Sequence, residues 1–407
     1  MPVVPAHTSS TDLTEEQVDI VRATLPLVGS NIDTITRTFY SSLFQAHPDL
    51  LRNLFNRGNQ ARGAQQRALA ASIATYATHL VTPELAHPAE VLSRIGHKHA
   101  SLGITPEQYE VVHEHLFAAI VDVLGGDVVT ADVAAAWSRV YWSMAETLIE
   151  LERQLYDSVH VATGQVYRRA TVTRRVVDAS GAVVVTVSTV EPLTGPDHPG
   201  QYVSVGVTLT DGARQLRQYS LLTAPGSHEL TFAVKAVNAA GERPAGEVSC
   251  FLARQLAEGD VVDVTVPFGD LPTGDLGDVP VVLASAGIGI TPMIGILDHL
   301  ARTGSSVPVT VLHADESAAT HPLRERHREL VDALAHATPA TWYAEGDDGE
   351  HRGRMDVSVV DIAADSIAFV CGGDDFVGSV RRQLVDAGVD PARIHCELFS
   401  PNDWLLG

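Results

Sequence analysis

KHASLGITPEQY, running from Lys98 to Tyr109, is the end of one helix, a break and the start of the next. On the helix before the break, Val91, Leu92, Ile95, His99 and Leu102 recur on one face, so His99 is the histidine aimed inward while His97 lies off the stripe. Gly103 ends that helix. Thr105-Pro106-Glu107-Gln108 starts the next, with Thr as cap, Pro in the first turn and Gln reaching back. Tyr109 sits in that first turn, where its hydroxyl can reach back to His99. Outward from this point, residues up to about 158 read as helix after helix. Thr14 followed by acids starts one that Pro26 interrupts, and Asn31 to Gln45 carries another, closed by His47-Pro48. The last helix of the series runs from about Ala131 to Tyr156, with Trp137, Val140, Tyr141, Met144, Leu148 and Leu155 three or four apart.

From about Val166 the pattern changes. Val183 to Val187, Gln201 to Val205 and Leu230 to Val234 are short, β-branched runs bounded by Gly, Pro and Asp, the pattern of a small antiparallel barrel. From about Val279 strands alternate with helices: Val281 to Ser285, a helix after Pro292, Val309 to His313, a helix through Arg324 to Leu334, then Ser366 to Cys371 and another helix. That is a parallel α/β unit. The expected fold class is therefore multidomain: all-α over 1–158, an antiparallel β-barrel over 160–275, and an α/β parallel-sheet domain over 278–407.

Composition narrows the partners. The 50 acidic against 28 basic residues give a net charge of −22, which argues against nucleic acid and anionic lipid. Lysine is reduced to Lys98 and Lys235, and one of these two adjoins His99. Cys250, Cys371 and Cys396 are far apart and form no CxxC or disulfide framework, which suits a reducing cytoplasm. The apolar stretch Val279 to Leu297 splits into strand, turn and helix at its glycines and proline, so no membrane span is expected. No obligate protein partner is implied.

Several residues carry chemistry. A single inward histidine is more often a hydrogen-bonded core residue than a metal ligand, so both readings of His99 stand on spacing alone. Glu152 lies on the apolar face of the last helix, where a carboxylate is costly unless it is paired or reaches the surface. A ligating imidazole needs a partner for its second N–H, and Tyr109 with Glu152 would provide one. Tyr40 and Gln65 are either ordinary half-buried helix residues or donors to a ligand; Gln65, Leu69, Ile73 and Tyr76 share a stripe. Downstream, RQYS (Arg217, Gln218, Tyr219, Ser220) offers a cation, an aromatic face and a hydroxyl to a flavin diphosphate. It is preceded by PGQY, which ends at Tyr202. It is followed by Gly246-Glu247-Val248-Ser249, opening a helix from Phe251 to Leu256. GIGITP (Gly287, Ile288, Gly289, Ile290, Thr291, Pro292) follows a strand and precedes a helix, where close approach of backbone to phosphate needs glycine; a plain tight turn is the alternative.

Taken together, these motifs resemble the flavohaemoglobins, single-chain globins fused to a ferredoxin-reductase-like module binding FAD and NAD(P), and the resemblance runs end to end. It implies a globin haem domain, a β-barrel FAD domain and an α/β NAD(P) domain. It implies haem b with His99 as the proximal iron ligand, a relay of Tyr109 and Glu152, and Lys98 bearing on haem and flavin potential. Tyr40, Gln65 and Leu69 match distal residues that steady bound O2, although the alignment needs one extra residue near Leu51. It further implies FAD rather than FMN, NADH or NADPH as donor, and a C-terminal flavin cover in Glu397-Leu398-Phe399-Ser400-Pro401. Two departures stand out: Cys371-Gly372-Gly373 where the family often has CGP, and Leu398 and Ser400 where it has cysteine and glycine. The implied activity is a cytoplasmic nitric oxide dioxygenase acting on O2 and NO. The alternatives are a haem peroxidase or alkyl hydroperoxide reductase, and an O2- or NO-binding sensor or store.

Overall fold

The computed structural model describes residues 13–399 apart from 62, 83–84, 86–91, 196–197, 225, 227, 242–243, 275 and 347–348. It falls into two compact units. The first holds the described residues up to Val166 together with Thr210–Leu216; the second holds Tyr167–Leu209 and the described residues from Arg217 onward.

The first unit is helical: α1 Glu15–Ala46, α2 Pro48–Asn53, α3 Arg57–Ala61, α4 Ala64–Val81, α5 Ser93–Leu102, α6 Pro106–Leu124 and α7 Ala131–Ser158. The capping boxes at Thr14 with Gln17 and at Thr105 with Gln108 both form. Pro26 does not interrupt α1 as expected; it lies inside a continuous helix. Its position explains why. Pro26 and Arg22, whose carbonyl loses its partner, are both on the exposed side, so water can take that bond. Val21, Val28 and Ile35 meanwhile keep the buried stripe continuous past the proline. At the α2–α3 corner, Gln215 reaches in from the Thr210–Leu216 segment, and its Nε2 donates to the carbonyls of Arg52 (2.9 Å) and Phe55 (3.2 Å). Asp211 pairs with Arg57 at 2.6 Å.

Two sheets follow the helices in the chain. The antiparallel one, β1 Tyr167–Val177, β2 Val183–Thr189, β3 Tyr202–Thr208, β4 Arg214–Ser220, β5 Glu229–Val234 and β6 Val261–Thr265, runs in the order β4-β3-β6-β1-β2-β5. Just beyond β4, a bridge between Leu221 and Phe232 of β5 brings its two edge strands together, curling the sheet into a half-barrel. Alternate residues of β2 (Val183, Val185, Val187) face its core, as a period-2 pattern requires. Helix α8 (Glu247–Arg254) begins at Glu247, earlier than the sequence pattern suggests, because Gly246 supplies the extended cap.

The second sheet is parallel throughout: β7 Val281–Ala286, β8 Val309–Asp315, β9 Ala337–Tyr343, β10 His351–Arg352, β11 Ile367–Gly372 and β12 Ile394–Leu398, in the order β10-β9-β8-β7-β11-β12. Helices α9 Ile290–Arg302, α10 Arg324–Asp332 and α11 Asp374–Asp386 connect them. The strand order reverses at β7, with β8 on one side and β11 on the other, which opens a crevice at their carboxyl ends.

Candidate functional site

Three helices of the first unit converge on one imidazole. His99 on α5 places Nδ1 2.9 Å from both the Tyr109 hydroxyl and Glu152 Oε1. Tyr109 on α6 donates to the same carboxylate oxygen at 2.5 Å. Glu152 on α7 is buried, so the alternative of a surface-reaching carboxylate does not hold. Burial first, and then the Glu152 charge, push the Tyr109 hydroxyl well above its ordinary range, so it stays protonated as a donor. With Nδ1–H directed at the carboxylate, the unprotonated Nε2 is the nitrogen left for a ligand bond; this tautomer is assigned from the hydrogen-bond network. The approach of α5 to α7 depends on Gly96, whose missing Cβ would otherwise overlap the Leu151 side chain. Tyr141 donates to the Tyr109 carbonyl at 2.6 Å and Tyr156 to the Ile104 carbonyl at 2.7 Å, which pins the turn between α5 and α6. Lys98 is half-buried on α5 beside His99.

His99 and Tyr109 line a cavity of about 270 Å³ together with Tyr40, Gln65 and Leu69. Most of the remaining lining is apolar: Phe39, Leu43, Phe55, Ile95, Met144 and Leu148 among others. Tyr40 is buried. Burial raises its hydroxyl pKa, while hydrogen bonds with Gln65 and Gln60 act against that rise. Its ring meets Phe44 and Phe55 at 5.6 and 5.9 Å between centroids. Gln60 went unnoticed in the sequence because α3 is too short to show periodicity. A flat apolar group liganded by one ring nitrogen, with hydroxyl and amide groups facing it, fits this chemistry.

On the second unit, Arg217, Gln218, Tyr219 and Ser220 lie together on β4. The Tyr219 ring stacks on Phe232 at 5.3 Å, and its buried hydroxyl has no hydrogen-bond partner among the described residues. An orphaned donor of this kind is costly unless a bound molecule accepts from it. Gln218 donates to Ser204 Oγ at 3.0 Å, and Ser220 is buried. Tyr202 is buried on β3, its backbone bridged to Phe268. At the start of α8, a Cβ on Gly246 would lie 2.6 Å from Ser249 Oγ. Ser249 accepts from the Val237 amide at 3.2 Å and so holds that turn, while the Val248 side chain is core. The amides of Glu247, Val248 and Ser249 make up the first turn of α8, at its N-terminal end.

Gly287–Gly289 form a single 3₁₀ turn between β7 and α9. Gly287 has φ +53°, and a Cβ on Gly289 would lie 2.5 Å from the Cys371 carbonyl, so side chains are disfavoured at both positions. Ile290, Thr291 and Pro292 are buried and anchor the turn, with Thr291 donating to the Ile288 carbonyl at 3.0 Å; Ile288 is half-buried. Cys371, Glu397 and Leu398 lie in register where β11 pairs β12. Leu398 is buried and Phe399 is half exposed; Ser400 and Pro401 lie outside the described residues.

Comparison with known proteins agrees with this architecture. Residues 37–148 match the globin family and residues 283–382 the oxidoreductase NAD-binding domain family. The flavohemoprotein of Deinococcus radiodurans is 38% identical, the match covering 96% of this chain and 98% of that one. That of Bacillus subtilis is 31% identical, with 96% and 98% covered. The crystal structure of the Malassezia yamatoensis flavohemoglobin, with bound FAD and heme, superposes with a TM-score of 0.88 at 35% identity, covering 95% of this chain and all of that one. The FAD/NAD-binding domain of the Vibrio cholerae nitric oxide dioxygenase matches 58% of this chain with a TM-score of 0.54 at 32% identity. Helices that seat one imidazole against a buried carboxylate, continued by an antiparallel half-barrel and a parallel nucleotide-type sheet, are thus matched over nearly the full length, and the chain belongs to the flavohemoprotein family.

Proposed function

We propose that this flavohemoprotein is an NAD(P)H-dependent nitric oxide dioxygenase whose net reaction is 2 NO + 2 O₂ + NAD(P)H → 2 NO₃⁻ + NAD(P)⁺ + H⁺. When bound, haem supplies the iron at which O₂ and NO combine, and FAD divides the hydride's electron pair into single electrons. The remaining work falls to the chain. His99 Nε2 is the ligand nitrogen, and Glu152 with Tyr109 holds the Nδ1 proton and raises the basicity of the ring. Tyr40 and Gln65, lining the same cavity, would donate to a bound ligand, and Leu69 would help to exclude water. Lys98 adds positive charge at the edge. Arg217 and the amides of Glu247, Val248 and Ser249, at the helix start that Gly246 caps, would take the flavin diphosphate. Tyr202, Gln218, Tyr219, Ser220 and the strand-end Glu397, Leu398 and Phe399 would hold the flavin ring. Gly287 to Pro292 form the nicotinamide nucleotide's phosphate turn. On this reading 1–158, 160–275 and 278–407 are the haem, flavin and nucleotide domains, and the acidic chain with its scattered cysteines works in the cytoplasm.

The observation that carries the proposal is a cavity lined by His99, Tyr109, Tyr40 and Gln65, with the buried Glu152 carboxylate bonded to His99 Nδ1. The buried carboxylate is also what favours the second reading, a peroxidase, because it strengthens donation toward iron. Aerobic NO consumption by the purified protein decides between them. Two nitrates per NAD(P)H are expected, whereas rapid turnover of peroxide without catalytic nitrate would establish the peroxidase.

A further inference from the structure

We propose that a string of apolar cavities, lined mainly by α1, α6 and α7, conducts diatomic gas from the surface beside Leu27 and Val128 to the cavity at His99. The inference rests on the reading of that cavity as the haem site. Next to it lies a second cavity of about 20 Å³, and the two share Tyr141 and Met144 as common wall. Beyond it lies a third of about 10 Å³, sharing Val28, Phe117, Ile120 and Trp137 with the second. Leu27 and Val128, which line the third, are 39% and 38% exposed and place its outer end at the surface.

The chemistry of the walls is more telling than their size. A pocket of this volume is at the lower limit for one water, and water also needs two to four polar partners. Every lining side chain that carries a polar atom has turned it toward protein. The Tyr76 hydroxyl bonds Ser143 Oγ at 2.9 Å, and the Tyr141 hydroxyl donates to the Tyr109 carbonyl at 2.6 Å. The Trp137 indole N–H donates to Thr24 Oγ1 at 2.9 Å, and Thr24 donates to the Ile20 carbonyl at 2.7 Å. Water entering would forfeit its hydrogen bonds. O₂ and NO have few to lose and are scarcely larger, so the string admits substrate gas while holding water back from the iron site. The contrast with the haem cavity, where Tyr40 and Gln65 face inward, divides passage from capture.

Xenon tests the inference directly in the full-length protein. Under xenon pressure, crystals or ¹²⁹Xe NMR should show occupancy at the second cavity, between Val28 and Met144. Ordered water there, or no xenon, overturns the proposal. Val28→Phe, which fills the wall common to the second and third cavities, should slow CO association with ferrous protein and CO dissociation by the same factor, about tenfold, because a blocked passage changes both rates and leaves affinity unchanged. An unchanged association rate in a protein with a normal haem spectrum defeats the corridor and leaves the haem reading intact; absence of haem binding defeats the haem reading instead. Should Val28→Phe fail to fold, xenon pressure on the unmodified protein supplies the same block by competition. Slower CO association then supports the route, and an unaffected rate rules it out.

Discussion

His99 on the cavity wall and His313 in the parallel sheet each have a carboxylate beside an imidazole, with different consequences. At His99 the carboxylate oxygen lies 2.9 Å from Nδ1, and the ring faces a cavity of about 270 Å³. At His313, fully buried on β8, Nδ1 bonds Ser285 Oγ at 2.9 Å while Nε2 stands 3.7 Å from Asp315 Oδ2, beyond hydrogen-bonding distance. His321 stacks on the His313 ring at 3.8 Å, and His327 lies 5.4 Å from His321. His321 Nδ1 bonds the Tyr343 hydroxyl at 2.8 Å. Among the described residues no group of side chains is arranged to hold a metal ion, this cluster included. The difference teaches that a histidine–carboxylate pair is available as a ligand only when the carboxylate takes one ring nitrogen and open space faces the ring. Where neighbours cover the ring, histidine is a packing residue with a polar rim.

The strongest way to break the comparison is to delete one histidine from each group. His99→Ala should abolish stable haem incorporation while leaving FAD bound and reducible by NAD(P)H, as read from the Soret and flavin bands. His321→Ala should leave the Soret band unchanged and lower stability by roughly 1–3 kcal/mol, from the lost hydrogen bond to Tyr343 and the space the buried ring vacates. A normal Soret band in His99→Ala would end its assignment as ligand. Arg217→Ala extends the same logic to the flavin: bound FAD should fall with haem intact, and added FAD should restore turnover in part.

A smaller effect is expected at Tyr40, which lines the same cavity as His99. A hydrogen bond to a charged acceptor contributes roughly 1.5–3 kcal/mol. Tyr40→Phe should therefore speed O₂ dissociation by about one to two orders of magnitude, at 1.4 kcal/mol per tenfold. CO carries less charge and should respond less. Equal acceleration of O₂ and CO release in stopped-flow measurements would show that Tyr40 acts by shape alone.

Much of this was legible in the sequence because helix and strand periods report which face is buried. The stripe through Ile95 and His99 and the capping box at Thr105 and Gln108 were readable for that reason. Glu152 was only half legible: spacing put it on the apolar face, but whether a carboxylate stays buried depends on donors from two other helices. Pro26 misled because the cost of proline depends on which side of the helix loses its hydrogen bond. Gln60 and Gln215 could not be found, since each acts from a short or distant segment whose contacts have no period. The histidines on β8 and around α10 gave no sign either, because parallel strands buried on both faces lose the alternation that marks a polar side chain as inward.

The last prediction concerns acid. Burial holds His321 down at about 2 and His327 at about 3, helped by repulsion from His313, which is itself lowered by burial. Asp315 partly opposes this for His321, while Arg324 adds to it. The unfolded chain takes up these protons near the ordinary value of about 6.5 and the folded chain does not. Stability is therefore fully present above about pH 6.5 and declines as pH falls from there toward about 3, by up to about 1.4 kcal/mol per pH unit for each histidine. Asp315 has the opposite history but acts in the same direction. Desolvation opposes its charge, yet the neighbouring His313 ring, hydrogen bonds from Thr320 and the Glu316 amide, and attraction to Lys235 hold it at about 2. It adds a further loss only below about pH 4. Hydrogen exchange at the β8 and β9 amides, corrected for the intrinsic rate, should show this decline between pH 6.5 and 5. In His327→Phe the slope should fall by roughly 1 kcal/mol per pH unit. An unchanged slope would mean that His327 takes up its proton without unfolding, and that the β8 group is less closed than the comparison with His99 requires.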